Sequence, residues 1–358
     1  MSSLLAPDGF AGADPSSPVR GVREALERRR ARAHGHVYAV VRWAGAGIFA
    51  AVFVTLLVTL FDQASAALGH MGIAILWTGW NPAKNQYGAG VFIVGTLLTT
   101  LVALVVAVPI GIGTAVLLSE LAPRWIAAPF TLMVEFLAAV PSIVVGLWGL
   151  IVLTPLFATH VEPFLKKVPL LNVLFHGTAY GASVLLAGVV LAVMILPTIV
   201  ALSRVAMSGV AVADREAGLA LGATRWQVVS KAVVPGARRG IRASITLAMG
   251  RALGEAIAVA LVIGNNTSLP HSLLSPGATL GSAIVNSFSE ATPGSLEKSG
   301  VVALVVVLLA ISVLVNAGGQ LLLRARKPGL PPRGPVTESA SPIMPTVPGV
   351  PDTAGTTT

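Results

Sequence analysis

A chain of 358 residues with 54 % hydrophobic side chains and 11 % charged ones lies far from a soluble domain, whose charged share is about a quarter. The formal charge of +9 invites a nucleic-acid partner, but the basic residues fall in gaps between apolar runs, where membrane topology accounts for them. The absence of cysteine excludes a disulfide framework, thiol chemistry and thiolate-bound metals, and the six histidines are scattered without metal-ligand spacing.

Residues 1–38 combine Gly, Ala, Pro and Ser with an arginine run (Arg28, Arg29, Arg30, Arg32). They show no early apolar core with a cleavage site, so a disordered, basic cytoplasmic tail is expected rather than a secretory signal. The first transmembrane helix is predicted over 39–62, where Trp43 to Phe61 is free of charge. A core of five further helices is predicted over 88–323. Its spans lie within Gly88 to Ser119, then Trp125 to Phe157, Ala182 to about Leu202, Ile241 to Gly264, and Gly300 to Leu323. Residues 324–358 are rich in Pro and Thr without apolar periodicity, and a second disordered tail is expected there. Nineteen Lys and Arg fall in the tails and alternate loops on one side of this arrangement, against four in the opposite gaps. The positive-inside rule therefore predicts an all-α membrane protein of six transmembrane helices with both termini in the cytoplasm.

The loop 205–240 carries the strongest local signal, in the order EAGLALGATRWQVVSKAVVP. Good helix formers up to Leu221 are followed by Gly222, which offers a left-handed terminus. Thr224 and Gln227 have the spacing of a capping box for a second helix, and Pro235 is predicted to end it. Two short helices joined at a glycine form an exposed elbow.

Polar residues inside the spans point to a solute path. Arg251 lies roughly 12 Å in from the inner edge of the fifth span and Glu255 roughly 6 Å deeper, at 1.5 Å per residue. An ionised group at that depth costs about 2.5–3.5 kcal/mol or more, so this face should meet another helix or water rather than lipid. At i and i+4 the two can pair, and Gly250 with Gly254 forms a small-xxx-small surface for a neighbouring helix. One reading is a self-neutralised bridge that holds the bundle together. The other is a substrate path, in which Arg251 offers a planar fork to an oxyanion and Glu255 accepts a hydrogen bond from a protonated phosphate. Glu135 is expected to be a second buried carboxylate, either at a site or simply hydrogen-bonded across helices. Pro141 should break the third span, leaving Ser142 to satisfy freed backbone or contact solute.

The elbow resembles the EAA loop of ABC-importer permeases: Glu216-Ala217-Gly218, three residues, Gly222, and Pro235 thirteen further on. Gly218 replaces that pattern's second Ala, and Ala232 and Val234 stand where Ile and Leu are usual. Three more segments carry a likeness to the permeases of the Pst-type phosphate importer, the C-type subunit above all. They are FIVGTLLTTLVALVVAVPIGIGTAVLLSELAP, EFLAAVPSIVVGLWGLIVLTPLF and GRALGEAIAVALVIGN, within a likeness that covers roughly residues 75–325. Ala256 departs from the Thr common there. The resemblance implies a MetI-like, type I importer permease fold in a bacterial plasma membrane. It implies coupling to an ATPase through Glu216, Ala217, Gly218, Gly222 and Pro235, and matches Arg251 and Glu255 to the family's buried charged pair. The implied partners are a second, A-type permease, an ATPase dimer and an extracytoplasmic phosphate-binding protein.

No GxxxxGK followed by Ser or Thr occurs, so ATP and Mg are expected on the ATPase and no cofactor on this chain. An anion channel would share the buried Arg but have no use for the elbow. A membrane-embedded enzyme would want a clustered nucleophile, base or metal set, which the sequence does not display. Among importers, sulfate or molybdate is the alternative solute.

Overall fold

The computed structural model describes the backbone of residues 18–167, 174–178 and 180–324, with side chains described between 40 and 321. Runs of Leu, Val and Ala leave the backbone no polar partner in hydrocarbon, so its N–H and C=O groups close on themselves in helices. In chain order these are α1 (Pro18–Met71), α2 (Gly90–Val116), α3 (Arg124–Ala139), α4 (Ser142–Lys166) and α5 (Val184–Ser208). Then follow α6 (Val212–Ala220), α7 (Arg225–Val228), α8 (Val234–Gly254), α9 (Ile257–Val262), α10 (Leu280–Phe288) and α11 (Leu296–Arg324). A small antiparallel ribbon, β1 (Trp80–Asn81) with β2 (Gln86–Tyr87), closes the loop after α1, with Trp80 opposite Tyr87.

Among the described residues, five segments are long and apolar enough to cross a bilayer: Val40–Leu76, Gly90–Leu121, Ser142–Lys166, Val184–Ser208 and Leu296–Leu321. Three expectations change. The segment 18–38, expected to be irregular, is the helical beginning of α1. The third span begins at Ser142 rather than near Trp125, because Pro141 ends α3 as a separate short helix. The fifth, expected to be continuous from Ile241 to Gly264, is interrupted: α8 stops at Gly254, Glu255 is extended (φ −73°, ψ 114°), and α9 resumes at Ile257. The expected tails reach outside the described residues at 1–17 and 325–358.

Lipid tails are as apolar as Leu, so the helices associate by close packing and hydrogen bonds. On the α2–α5 seam, a Cβ at Gly188 would fall 2.4 Å from Val102 Cγ1, and one at Gly111 would fall 2.8 Å from Ile199 Cγ2. Either side chain would push the helices apart. Between them Ala103, Ala107, Leu191, Ala192, Ile195 and Ile199 form a buried layer that also takes Ala248 and Ala252 of α8. The hydroxyls of Ser203 and Ser244, 2.9 Å apart and buried, join α5 to α8. Leu97, Leu101 and Val105 line the opposite face of α2 and stay exposed, as a face turned to lipid or another subunit does.

Candidate functional site

The two helix breaks lie side by side. A Cβ on Gly146 of α4 would fall 2.7 Å from Ala258 Cα of α9, and one on Gly149 would fall 3.0 Å from Val262 Cγ1. The pairings advance together along both chains, so α4 and α9 run parallel. Gly146 lies one turn into α4 and Ala258 in the first turn of α9, so the start of α4 after the Pro141 break packs against the start of α9 after the Glu255 break. The first turn of α10 also rests on the second break, since a Cβ on Gly281 would fall 2.9 Å from Ala256 Cα. Half-helix ends are how membrane proteins build polar sites in hydrocarbon.

Arg251 and Glu255 form the expected pair, with Arg251 Nε 3.4 Å from Glu255 Oε1. Its setting differs from two residues stacked on one helix, because Glu255 stands just beyond the last turn of α8. The side chain of Arg251 is 41 % exposed and that of Glu255 14 %. Only part of the guanidinium is therefore engaged, and its face of α8 is open, with Leu247 exposed on the same stripe. The small-residue pair divides its work. A Cβ on Gly250 would fall 2.6 Å from Asn316 Oδ1, so α11 approaches closely there, whereas nothing lies within 4 Å of the same position at Gly254.

Glu135 is a correction. It is exposed in this chain, because α3 turns Ala127, Thr131 and Val134 toward the bundle and the neighbouring position points away. Thr131 Oγ1 accepts a 2.7 Å hydrogen bond from Arg204 Nη1, which sets that rotation. Ser142 is partly buried, but no side-chain cap bond forms at the start of α4, so the backbone-satisfying role expected of it is not taken up.

At the elbow, α6 ends at Ala220, and Gly222 takes φ +81°, a conformation that a Cβ disfavours. Thr224 Oγ1 accepts from Gln227 N, and Gln227 Oε1 accepts from Thr224 N at 2.8 Å, completing the capping box. Gly218 packs so closely on α7 that a Cβ would fall 2.9 Å from Val228 Cγ2, and this accounts for Gly in that place. Pro235 does not end the helix, contrary to expectation. A π turn over Val229–Val233 precedes it and α8 continues through it. The wider turn opens the hydrogen-bond ladder where the proline supplies no N–H and its ring needs room. Val228, Val229 and Val233 are buried with Val116, Val200 and Met207 at the ends of α2 and α5. Outside, Gly218, Leu221, Gly222, Ala223, Gln227 and Lys231 line a groove of about 380 Å³, with Leu221 89 % exposed. Glu216 and Ala217 stand exposed on α6.

The sequence reading missed Arg215. Its Nη2 lies 3.0 Å from Glu120 Oε1 and its Nε 3.4 Å from Glu120 Oε2, while Nη1 and Nη2 donate to the Val210 and Met207 carbonyls at 2.6 and 2.8 Å. Arg215 directly precedes the Glu216 motif, so its place was visible, but its partner is 95 residues away. Asn316, the polar contact of Gly250, was missed for the same reason.

A bundle of apolar helices with two adjacent breaks, one bearing a charged pair, and an anchored elbow at one end defines a transport permease of the ABC-importer class. The chain belongs to the family described as binding-protein-dependent transport system inner membrane component, matched over residues 107–327. It is 40 % identical over 280 residues to the phosphate transport system permease protein PstC of Haemophilus influenzae, covering 77 % of this chain and 87 % of that one. It is 38 % identical over 310 residues to the protein of the same name from Mesorhizobium japonicum, covering 85 % and 94 %. Its fold is similar to a chain of a bacterial alginate ABC transporter crystallised with an alginate pentasaccharide-bound periplasmic protein (TM-score 0.52, 14 % identity, 80 % and 96 % covered). The all-α importer-permease fold expected from the sequence is the one observed.

Proposed function

We propose that this chain is one of two permease subunits of an ATP-driven importer of inorganic phosphate in a bacterial inner membrane. The observation that carries the reading is the likeness to phosphate permeases across more than three-quarters of the chain, a stretch that contains both the elbow and the Arg251–Glu255 break. The chain crosses the membrane six times, with α8 and α9 together forming the fifth crossing and both ends in the cytoplasm, as the distribution of Lys and Arg favours. A second permease of similar kind covers the open face of α8, so that Arg251 looks into a path between subunits rather than at lipid. There its guanidinium supplies N–H groups to phosphate oxygens, and Glu255 accepts from a phosphate hydroxyl. Binding at this point is weak enough for release, and capture belongs to a phosphate-binding protein on the outer side.

Energy comes from an ATPase dimer, which holds ATP and Mg and docks at the groove between α6 and α7. Exposed Glu216, Ala217 and Leu221 meet it, while buried Val228, Val229 and Val233 carry its motion into α2, α5 and α8. The test is Glu216→Lys in the reconstituted importer. Phosphate uptake should fall about tenfold or more, since a reversed charge at a docking contact repels where the native one attracts. Normal uptake by the variant would remove the elbow from the coupling route.

A further inference from the structure

The elbow is joined to α5 by the three residues Gly209, Val210 and Ala211, tied back to α5 by two backbone bonds, Gly209 N to the Val205 carbonyl (3.2 Å) and Val210 N to the Met207 carbonyl (3.1 Å). Apolar contacts under α7 resist separation, yet they are not directional and permit sliding. Arg215 is different in kind. Its guanidinium makes four hydrogen bonds, two to both oxygens of Glu120 and two to the Val210 and Met207 carbonyls. Glu120 lies in the π turn Leu117–Leu121 that closes α2, and Met207 is in the last turn of α5, where its carbonyl accepts from both Val210 N (3.1 Å) and Arg215 Nη2 (2.8 Å). A cation there also meets the negative end of the helix dipole. Both members are largely shielded from water, with side chains 22 % and 12 % exposed. One side chain on the elbow is thus fastened to the ends of two helices that share a seam tight enough to need glycine.

We propose that Arg215 is a positioning residue that converts movement of α6 into joint movement of α2 and α5, with Glu120 as its fixed point. This rests on the reading of the elbow as the ATPase contact. When α6 is displaced, the three bonds to Glu120 and Met207 tie it to the ends of α2 and α5 and the fourth, to Val210, stiffens the linker itself, so the displacement passes into the membrane helices. Without them the linker absorbs it, and nucleotide is spent without movement of the path. Neither residue touches the ATPase groove, so the effect should appear in coupling and not in docking.

The test uses the complete importer in proteoliposomes, with ATP hydrolysis and phosphate uptake measured on the same preparation. Arg215→Lys keeps the charge but loses the fork, and Glu120→Gln keeps the shape but loses the charge. For both, the ATPase should remain bound and active while phosphate moved per ATP falls, about tenfold for Arg215→Lys and about threefold for Glu120→Gln. The ratio is read on assembled complex only, so a loss of folded protein does not enter it. A wild-type ratio in both variants overturns the clamp, as does loss of the ATPase from the complex. Should Glu216→Lys, run in parallel, leave uptake untouched, the elbow reading itself fails and the clamp with it. A normal ratio for Arg215→Lys beside a broken Glu216→Lys defeats the clamp alone.

Discussion

The elbow and the broken fifth helix lie on the same stretch of chain, yet they reach order by opposite means. The elbow's bonds are made within this subunit: its turn has the left-handed glycine, its second helix has both halves of the capping box, and its cation makes four hydrogen bonds to three residues. The break bears a guanidinium that is 41 % exposed, on a face with open space beside Gly254. An ionisable group in that condition needs a protein or water neighbour rather than lipid, which on the proposed reading a second permease supplies. On the proposed reading, the elbow receives force with its bonds complete in this chain, whereas the break handles solute with a face left open for a partner.

Substitutions break this contrast in order of size. Arg251→Ala should reduce phosphate uptake by about a hundredfold or more, consistent with the loss of a charge-assisted contact made in low dielectric. Assembly with the ATPase, measured by co-purification, should be unchanged; failure to assemble would make the Arg251–Glu255 pair a structural bridge. Gly222→Val forces a β-branched residue to φ > 0 and should cost about 1–2 kcal/mol or more of local stability. The loss should be confined to the elbow, seen as faster amide exchange over 212–228 with α5 unaffected. Thr224→Ala removes one half of the capping box at a cost of about 1 kcal/mol, read as a small rise in exchange at Gln227. If either elbow variant loosened the break as strongly as the elbow, the two regions would not be separately built.

What the sequence disclosed follows the same line. Gly222, Thr224 and Gln227 act on neighbours within three residues, so their roles could be read along the chain. The apolar runs announced their spans because crossing a bilayer is a matter of length. The interruption at Glu255 could not be read that way, since Ala, Leu and Glu around it favour helix and the break is packed by Gly281, 26 positions on. Pro235 misled because the usual rule supposes an unbroken i to i−4 ladder, whereas a π turn had already opened it. The exposure of Glu135 was not legible because α3 is a separate helix, held to Arg204 of α5 through Thr131.

The most direct test of the account is phosphate accumulation in vesicles holding this chain and its second permease, with and without the ATPase. The account predicts uphill accumulation only when the ATPase is present and ATP is supplied, and its loss when Glu216 is reversed in charge. Uphill accumulation by the permeases alone, or full activity with an elbow that contacts no ATPase, would contradict it.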